Sequence, residues 1–438
     1  MTLLVFLISA CFVRKPNKEV LMRRATRLTM LFILLLAGLL GFQARALAAG
    51  PGSASVCDPD GVQSSGAIYR ICMPAGPWNG DLVVYAHGYV SPLEPIGIPE
   101  DQLTLPDGTS LIDLITSMGY AFATTSYATN GLAVPEGVAD VTELVSIFRA
   151  TKGEPEHVYL TGPSEGGLIT ILGVEQHPDV FDGALSTCGP IGNFQKQTDY
   201  FGDFRVVFDY FFPGVLPPSP VAIPDQVMAD WDDVYKPAIA AAIAQDPHAT
   251  DQLLRVTRAA VDPADPGSVE KTVTGLLWYN VFATNDARVK LGGQPFDNRH
   301  KLYVGSDNDL ALNMGVARFQ ADPQAKVAIQ QRYQASGDLQ VPVVTMHTLL
   351  DPIVPYWHEP LYRQKVMARG AAFQHINIPI PRYGHCNFQP EEVLAAFGIL
   401  VFRVEGDILD PSAALPDPDA RTRYNELLQK YGVPVETR

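Results

Sequence analysis

Val158-Tyr159-Leu160-Thr161-Gly162-Pro163-Ser164-Glu165-Gly166-Gly167-Leu168-Ile169 is the stretch whose reading decides the fold. An apolar run leads into a glycine-bracketed turn, and a second apolar run leaves it. The pattern predicts a short strand, a sharp turn and the start of a helix. Gly162 and Gly166 stand two residues either side of Ser164, the spacing G-x-S-x-G. A serine at the tip of a strained strand-to-helix turn leaves no room for larger side chains at those two positions. The competing reading is an ordinary loop with a capping serine.

Working outward, the spacing predicts strands over 67–72, 81–86, 120–127 and 183–187, short and apolar enough to be buried on both faces. Between them Ser110 can cap a helix running to Ser117. A second helix over 139–150 carries Val141, Leu144, Val145 and Phe148 on one face. From about residue 191 the alternation stops. Helical patterns follow over 237–245, 250–261, 268–282 and 323–334, with proline-rich joints such as Pro217-Pro218-Ser219-Pro220. This segment is aromatic, with Phe201, Phe204, Phe208, Trp231, Trp278 and Tyr279 among others, and most of these are expected to be core. The alternation resumes with strands over 341–348 and 373–380 and helices over 359–368 and 390–402. The fold class is therefore α/β, a doubly wound, mostly parallel sheet with an inserted helical cap. The expected organisation is core over 49–190 and 340–403, cap over 191–339, and a polar tail over 404–438 with a short helix at 424–431.

The 438 residues are 47% hydrophobic and 18% charged, with a formal net charge of −15. That composition supports a large core, and an acidic chain without basic clusters argues against nucleic acid as a partner. Arg23, Arg24 and Arg27 precede an apolar run over 28–42 and then Ala46-Leu47-Ala48-Ala49. This is the layout of a signal peptide starting near Met22 and cleaved after about Ala48, with residues 1–21 read as a start codon placed too early. The expected location is secreted or periplasmic. The run is short for a membrane span, so no stable span is expected in the mature form; a retained anchor is the alternative. Cleavage removes Cys11 and leaves Cys57, Cys72, Cys188 and Cys386. An even count in an exported chain predicts two disulfides. Three pairings are open, one of them a local Cys57–Cys72 with a long-range Cys188–Cys386.

A serine hydroxyl is a poor nucleophile until a base takes its proton and a carboxylate orients that base. In a doubly wound sheet both partners should emerge at the carboxyl ends of later strands. Asp351 follows the strand over 341–348, and His385 follows the strand over 373–380 behind Gly384. The alternatives are Asp351 as a helix cap and His358 or His375 as the base. An oxyanion needs donors as well. The backbone N–H of Glu165, directly after the serine, is one candidate. The N–H of Tyr89, in the loop His87-Gly88-Tyr89, is the other, with His87 and Gly88 supporting that loop. The Glu165 side chain either lines the acyl pocket or is solvent-facing or spent on a hydrogen bond. Ser306-Asp307-Asn308-Asp309 lacks the glycine and terminal glutamate of a calcium loop and reads as a turn. With no zinc spacing and no dinucleotide fingerprint, neither metal nor cofactor is expected.

Together His87-Gly88-Tyr89, Gly162-Pro163-Ser164-Glu165-Gly166, Asp351-Pro352-Ile353-Val354-Pro355 and Gly384-His385 resemble the motifs of the α/β-hydrolases, in that family's order of nucleophile, acid and base. The resemblance covers about residues 65–190 and 340–403. It implies hydrolysis of an ester, amide or thioester through an acyl-enzyme, with a lid inserted where the helical segment lies. Cys386 after His385 is similar to tannase and feruloyl-esterase relatives, in which a disulfide ties the serine and histidine loops. Here Pro163 precedes the serine, and Cys188 is the residue that could substitute for the missing cysteine. The expected function is an exported serine hydrolase acting on hydrophobic carboxylic esters, small-molecule or polymeric. A serine peptidase of the prolyl-oligopeptidase or tripeptidyl type, a polyester depolymerase and a non-catalytic binding protein are the alternatives.

Overall fold

The computed structural model describes residues 55–105 and 108–435; the export segment expected over 1–48 lies outside the described residues. The strands are Ser55–Cys57 (β1), Gly61–Val62 (β2), Ile68–Pro74 (β3), Leu82–Tyr85 (β4), Ala121–Thr125 (β5), Val158–Pro163 (β6), Gly183–Thr187 (β7), Val343–Leu350 (β8) and His375–Tyr383 (β9). Among the described residues they form one nine-stranded sheet, ordered β1-β3-β5-β4-β6-β7-β8-β9, with β2 paired to β3. From β5 to β9 each strand is parallel to its neighbour. β1, β2 and β5 pair with β3 antiparallel. The chain steps from β4 outward to β5 and then back to β6 on the other side of β4. Such a reversal opens a crevice at the carboxyl ends of the strands, here β4 and β6.

Strand alternation divides the core into two layers. Leu82, Val84, Leu160 and Val343 face one side, packed against the helices Val134–Lys152 (α2) and Glu165–Gln176 (α3). Val83, Tyr85, Tyr159 and Val344 face the other, against Leu111–Ser117 (α1), Pro390–Glu405 (α12) and Pro418–Lys430 (α13). Ser110 caps α1 by accepting from the Asp113 N–H.

Between β7 and β8 the described elements are helices: Phe194–Phe211 (α4), Asp225–Ala229 (α5), Lys236–Gln245 (α6), Pro247–Thr257 (α7), Gly267–Lys290 (α8), Asp309–Gly315 (α9) and Pro323–Arg332 (α10). Phe204, Phe208, Trp231, Leu276, Leu277 and Val281 build a core of their own, and Ile353 and Val354 join it. The cap thus rests on the loop between β8 and the helix His358–Ala368 (α11). Its last helix differs: Ala325 and Ile329 of α10 join the sheet's core, so the insertion expected over 191–339 does not pack as one body.

Three readings of the sequence differ from the structure. α4 was not expected, because Gly202 and Asp203 interrupt its apolar pattern. Gly202 is used by the packing: a Cβ there would lie 2.4 Å from the Phe296 ring. Second, the turn-rich segment around Cys57 contributes β1, with Cys57 directly opposite Cys72 on β3. Third, the stretch expected as a polar tail is built into the core. Leu409, Leu415, Ala420, Tyr424, Leu428 and Val433 are all buried against α12 or around α13, and the Tyr424 hydroxyl donates to the Leu409 carbonyl at 2.9 Å. Tyr424→Ala should therefore lower the unfolding free energy by about 3–5 kcal/mol, as for other large buried aromatics, measured by urea denaturation; a change within 0.5 kcal/mol or so, the range of a surface substitution, would mean the segment is peripheral.

Candidate active site

β6 ends at Pro163 and α3 begins at Glu165, which leaves Ser164 at the turn with φ 55°. That conformation costs a non-glycine residue about 1–3 kcal/mol and persists only where the surroundings over-determine it. They do so here. The Ser164 N–H donates to the Thr187 carbonyl at 2.8 Å. A Cβ on Gly162 would lie 2.4 Å from the Ala86 carbonyl oxygen, and one on Gly166 would lie 2.0 Å from it. The turn is pressed against the end of β4, and only glycine allows that approach.

The Ser164 Oγ is 2.8 Å from His385 Nε2, and His385 Nδ1 is 2.8 Å from Asp351 Oδ2. With Nδ1–H donating to the carboxylate, Nε2 is left to accept from the serine hydroxyl. Asp351 Oδ1 accepts from the N–H groups of Ile353 and Val354, at 2.9 and 3.0 Å. Asp351 is therefore both a turn cap and the partner of His385. Burial would raise its pKa, but His385 and His347 beside it hold it down at about 2.

His347 was not singled out in the sequence. It lies fully buried on β8, Nε2 2.7 Å from the Val354 carbonyl and 3.5 Å from Asp351 Oδ2. Its Nδ1 is 3.3 Å from Glu359 Oε1. The Val354 carbonyl can only accept, so Nε2 carries a proton. Burial would lower its pKa, but hydrogen bonds to Asp351 and Glu359 raise it to about 10. Glu359 Oε2 in turn accepts from Thr345 and Asn377, at 2.6 and 2.7 Å. A buried Asp351–His347–Glu359 chain thus lies directly behind His385. In sequence the only trace of it was a histidine four residues before Asp351, within an apolar strand.

On the other side of Ser164 runs the loop after β4. A Cβ on Gly88 would lie 3.5 Å from the Ser164 Cβ. Gln102, also not anticipated, braces this loop: its Oε1 accepts from the Gly88 N–H at 2.7 Å and its Nε2 donates to the Tyr89 carbonyl at 3.3 Å. His87 is buried, stacks on Tyr127 with ring centroids 3.9 Å apart, and its Nδ1–H donates to the Gly88 carbonyl. Burial lowers its pKa, so it is a neutral support of the loop. Tyr89 and Glu165 line the same cavity as Ser164. The Glu165 side chain is buried and not solvent-facing: it lines that cavity, and its Oε1 accepts from the Ala133 N–H at 2.7 Å. Burial raises its pKa to about 8. His358 and His375 are engaged elsewhere, with the Gly192 N–H and Gln197 and with Thr345 respectively.

Of the three open pairings, Cys57–Cys72 and Cys188–Cys386 are formed. The second bond joins Cys188 to the residue after His385; Cys188 directly follows Thr187 at the end of β7, whose carbonyl holds the Ser164 N–H. One disulfide and one backbone hydrogen bond therefore link the two loops, although Pro163 precedes the serine. Cys188, Cys386 and His385 cluster closely enough to hold a metal, but the disulfide removes both thiolates. Asp81, His157 and Glu405 form a second such group at the opposite ends of the strands; His157 Nδ1 already bonds Asp81 at 3.0 Å.

Two outcomes follow from this arrangement. A nonreduced digest of the purified protein should contain the linked Cys188 and Cys386 peptides, and finding both as free thiols would remove the covalent tie. A histidine pKa raised by folding contributes stability that is complete below about pH 6.5 and disappears as pH rises through the folded value near 10. The unfolding free energy should therefore fall more steeply between pH 6.5 and 10 in the wild type than in His347→Gln. Parallel slopes would show that His347 is not a cation in the folded state.

No protein-family model and no curated protein matches the sequence. Solved structures similar to it include an acylaminoacyl peptidase from Pyrococcus horikoshii, 12% identical over 76% of this chain and 37% of that one, TM-score 0.37. The chain thus spans less than half the length of that peptidase. Candida antarctica lipase A is 13% identical over 85% of this chain and 87% of its own, TM-score 0.46. Feruloyl esterase B from Aspergillus oryzae is 16% identical over 80% of both chains, TM-score 0.41. These likenesses are too distant to bear on substrate or mechanism. The strand order, the sharp turn at Ser164 after β6 and the helices inserted after β7 are features of the molecule itself, and by them the chain has the α/β-hydrolase fold.

Proposed function

We propose that this chain is an exported serine hydrolase that cleaves hydrophobic carboxylic esters through an acyl-enzyme. The observation that carries the reading is the pair of 2.8 Å contacts joining Ser164 Oγ, His385 and Asp351. Ser164 Oγ attacks the ester carbonyl carbon while its proton passes to His385 Nε2. Asp351, held ionised, faces the Nδ1–H and balances the imidazolium. The carbonyl oxygen becomes an oxyanion and takes hydrogen bonds from the Glu165 and Tyr89 N–H groups. Glu165 is the first residue of α3, so its N–H has no partner within the helix and lies at the positive end of the helix dipole. Collapse breaks the ester C–O bond, and the proton on Nε2 goes to the leaving alkoxide. Water then repeats the sequence on the acyl-enzyme and releases the acid.

An ester is favoured over a peptide by what surrounds Ser164. Among the described residues, the walls of the two cavities at the serine include no lysine, arginine or aspartate to pair with a peptide terminus. Glu165 is the one carboxylate there, and its raised pKa keeps it largely protonated at neutral pH. Export is supported by the two disulfides.

Ser164→Ala and His385→Ala should each lower kcat on p-nitrophenyl esters by roughly 10⁴–10⁶-fold, the range seen when a member of such a triad is removed. The wild type should react with a fluorophosphonate and Ser164→Ala should not. Equal activity in wild type and Ser164→Ala, or a wild type that neither hydrolyses any ester nor takes the label, would defeat the proposal.

A further inference from the structure

Two cavities meet at Ser164, and their walls share only Tyr89, Ser164 and Tyr279. The first, of about 120 Å³, lies between Phe194, Phe201, Phe296, Leu132 and Ile353, and Glu165 is one of its walls. The second, of about 400 Å³, runs between the sheet and α1 and α12. Phe122 and Leu185 from the strands, Leu111 and Leu114 from α1, and Leu394 and Phe397 from α12 form its walls. His385 is among the walls of the second cavity and not among those of the first.

We infer that the smaller cavity takes a short apolar acyl group and the larger one a bulkier apolar alcohol, so that the favoured substrates are short-chain esters of large apolar alcohols. The inference rests on the acyl-enzyme reading above and follows from proton delivery. The tetrahedral carbon carries four substituents. One is Ser164 Oγ, and a second is the oxyanion, turned toward the Tyr89 and Glu165 N–H groups. The proton taken from Ser164 sits on His385 Nε2 and must reach the leaving oxygen directly, so the alcohol leaves on the His385 side. That side opens into the larger cavity. The acyl chain takes the remaining direction, past Glu165 and under the cap. Its length is then limited by Phe201 and Phe296, which are parts of the cap's packed interior. The alcohol has more space and walls of leucine and phenylalanine, which favour an extended aliphatic or ring system over a polar one.

The test uses primary alcohols, which keep leaving-group reactivity similar. Along ethyl, 2-phenylethyl and 2-(1-naphthyl)ethyl butyrate, kcat/KM should rise at least tenfold. Along 2-phenylethyl acetate, butyrate and dodecanoate, it should fall at least tenfold from butyrate to dodecanoate. Leu394→Trp should cut the preference for the naphthylethyl over the ethyl ester at least tenfold, and Leu111→Trp on the opposite wall gives the same reading if the first variant does not fold. Ala283→Trp, on α8 in the wall of the smaller cavity, should shift the acyl preference from butyrate toward acetate. If the α1 and α12 variants change acyl-length preference and leave the alcohol preference alone, or if neither set changes either preference, the assignment is wrong while ester hydrolysis by Ser164 stands. Absence of both hydrolysis and fluorophosphonate labelling would instead defeat the underlying function.

Discussion

The contact on which the rest depends is between backbone and backbone, where the turn at Ser164 presses on the Ala86 carbonyl at the end of β4. Two glycines permit it, since any Cβ at Gly162 or Gly166 would fall well inside van der Waals distance of that oxygen. Ser164 sits at the tip of this turn with a positive φ of 55°. The approach also brings the loop after β4 beside the start of α3, so Tyr89 and Glu165 border one cavity. The serine and its flanking N–H groups are therefore set by a single close approach at the point where strand order reverses.

The opposite side of the site is held by other means. His385 follows β9, far from Ser164 in sequence, and a loop at a strand end is free to drift. Two devices restrain it. The Cys188–Cys386 bond ties it to the segment after β7. Asp351 anchors it through a hydrogen bond to Nδ1 and is itself fixed by two backbone donors and the buried His347. Removing one partner from such a buried charge pairing usually leaves an uncompensated charge. For that reason the layer behind Asp351 matters to the orientation of His385 although it does not reach the cavity.

Much of this was legible beforehand. Ser164, Asp351 and His385 sit at strand ends, and strand ends follow from apolar runs bounded by glycine and proline. Gly162 and Gly166 were legible because glycine answers a steric demand that the turn alone creates. Gln102, His347 and Glu359 were not legible. Each acts by contacting a residue distant in the fold, and a buried polar side chain within an apolar run carries no periodic signal. α4 was hidden for a related reason: Gly202 looks like a helix breaker until Phe296 is seen to fill the space above it. The stretch after residue 404 looked polar because the buried residues of α13, Ala420, Tyr424 and Leu428, are spaced among charged ones.

The sequence by itself determined the class of fold, the order of its elements and the residues at the strand ends, because those properties depend on local pattern and local sterics. Only the tertiary structure decided which cysteines pair, which charges are buried together and how the space around Ser164 is divided into two cavities. Those properties depend on distances between segments far apart in the chain, and the packing of the cap and of α1 and α12 sets them.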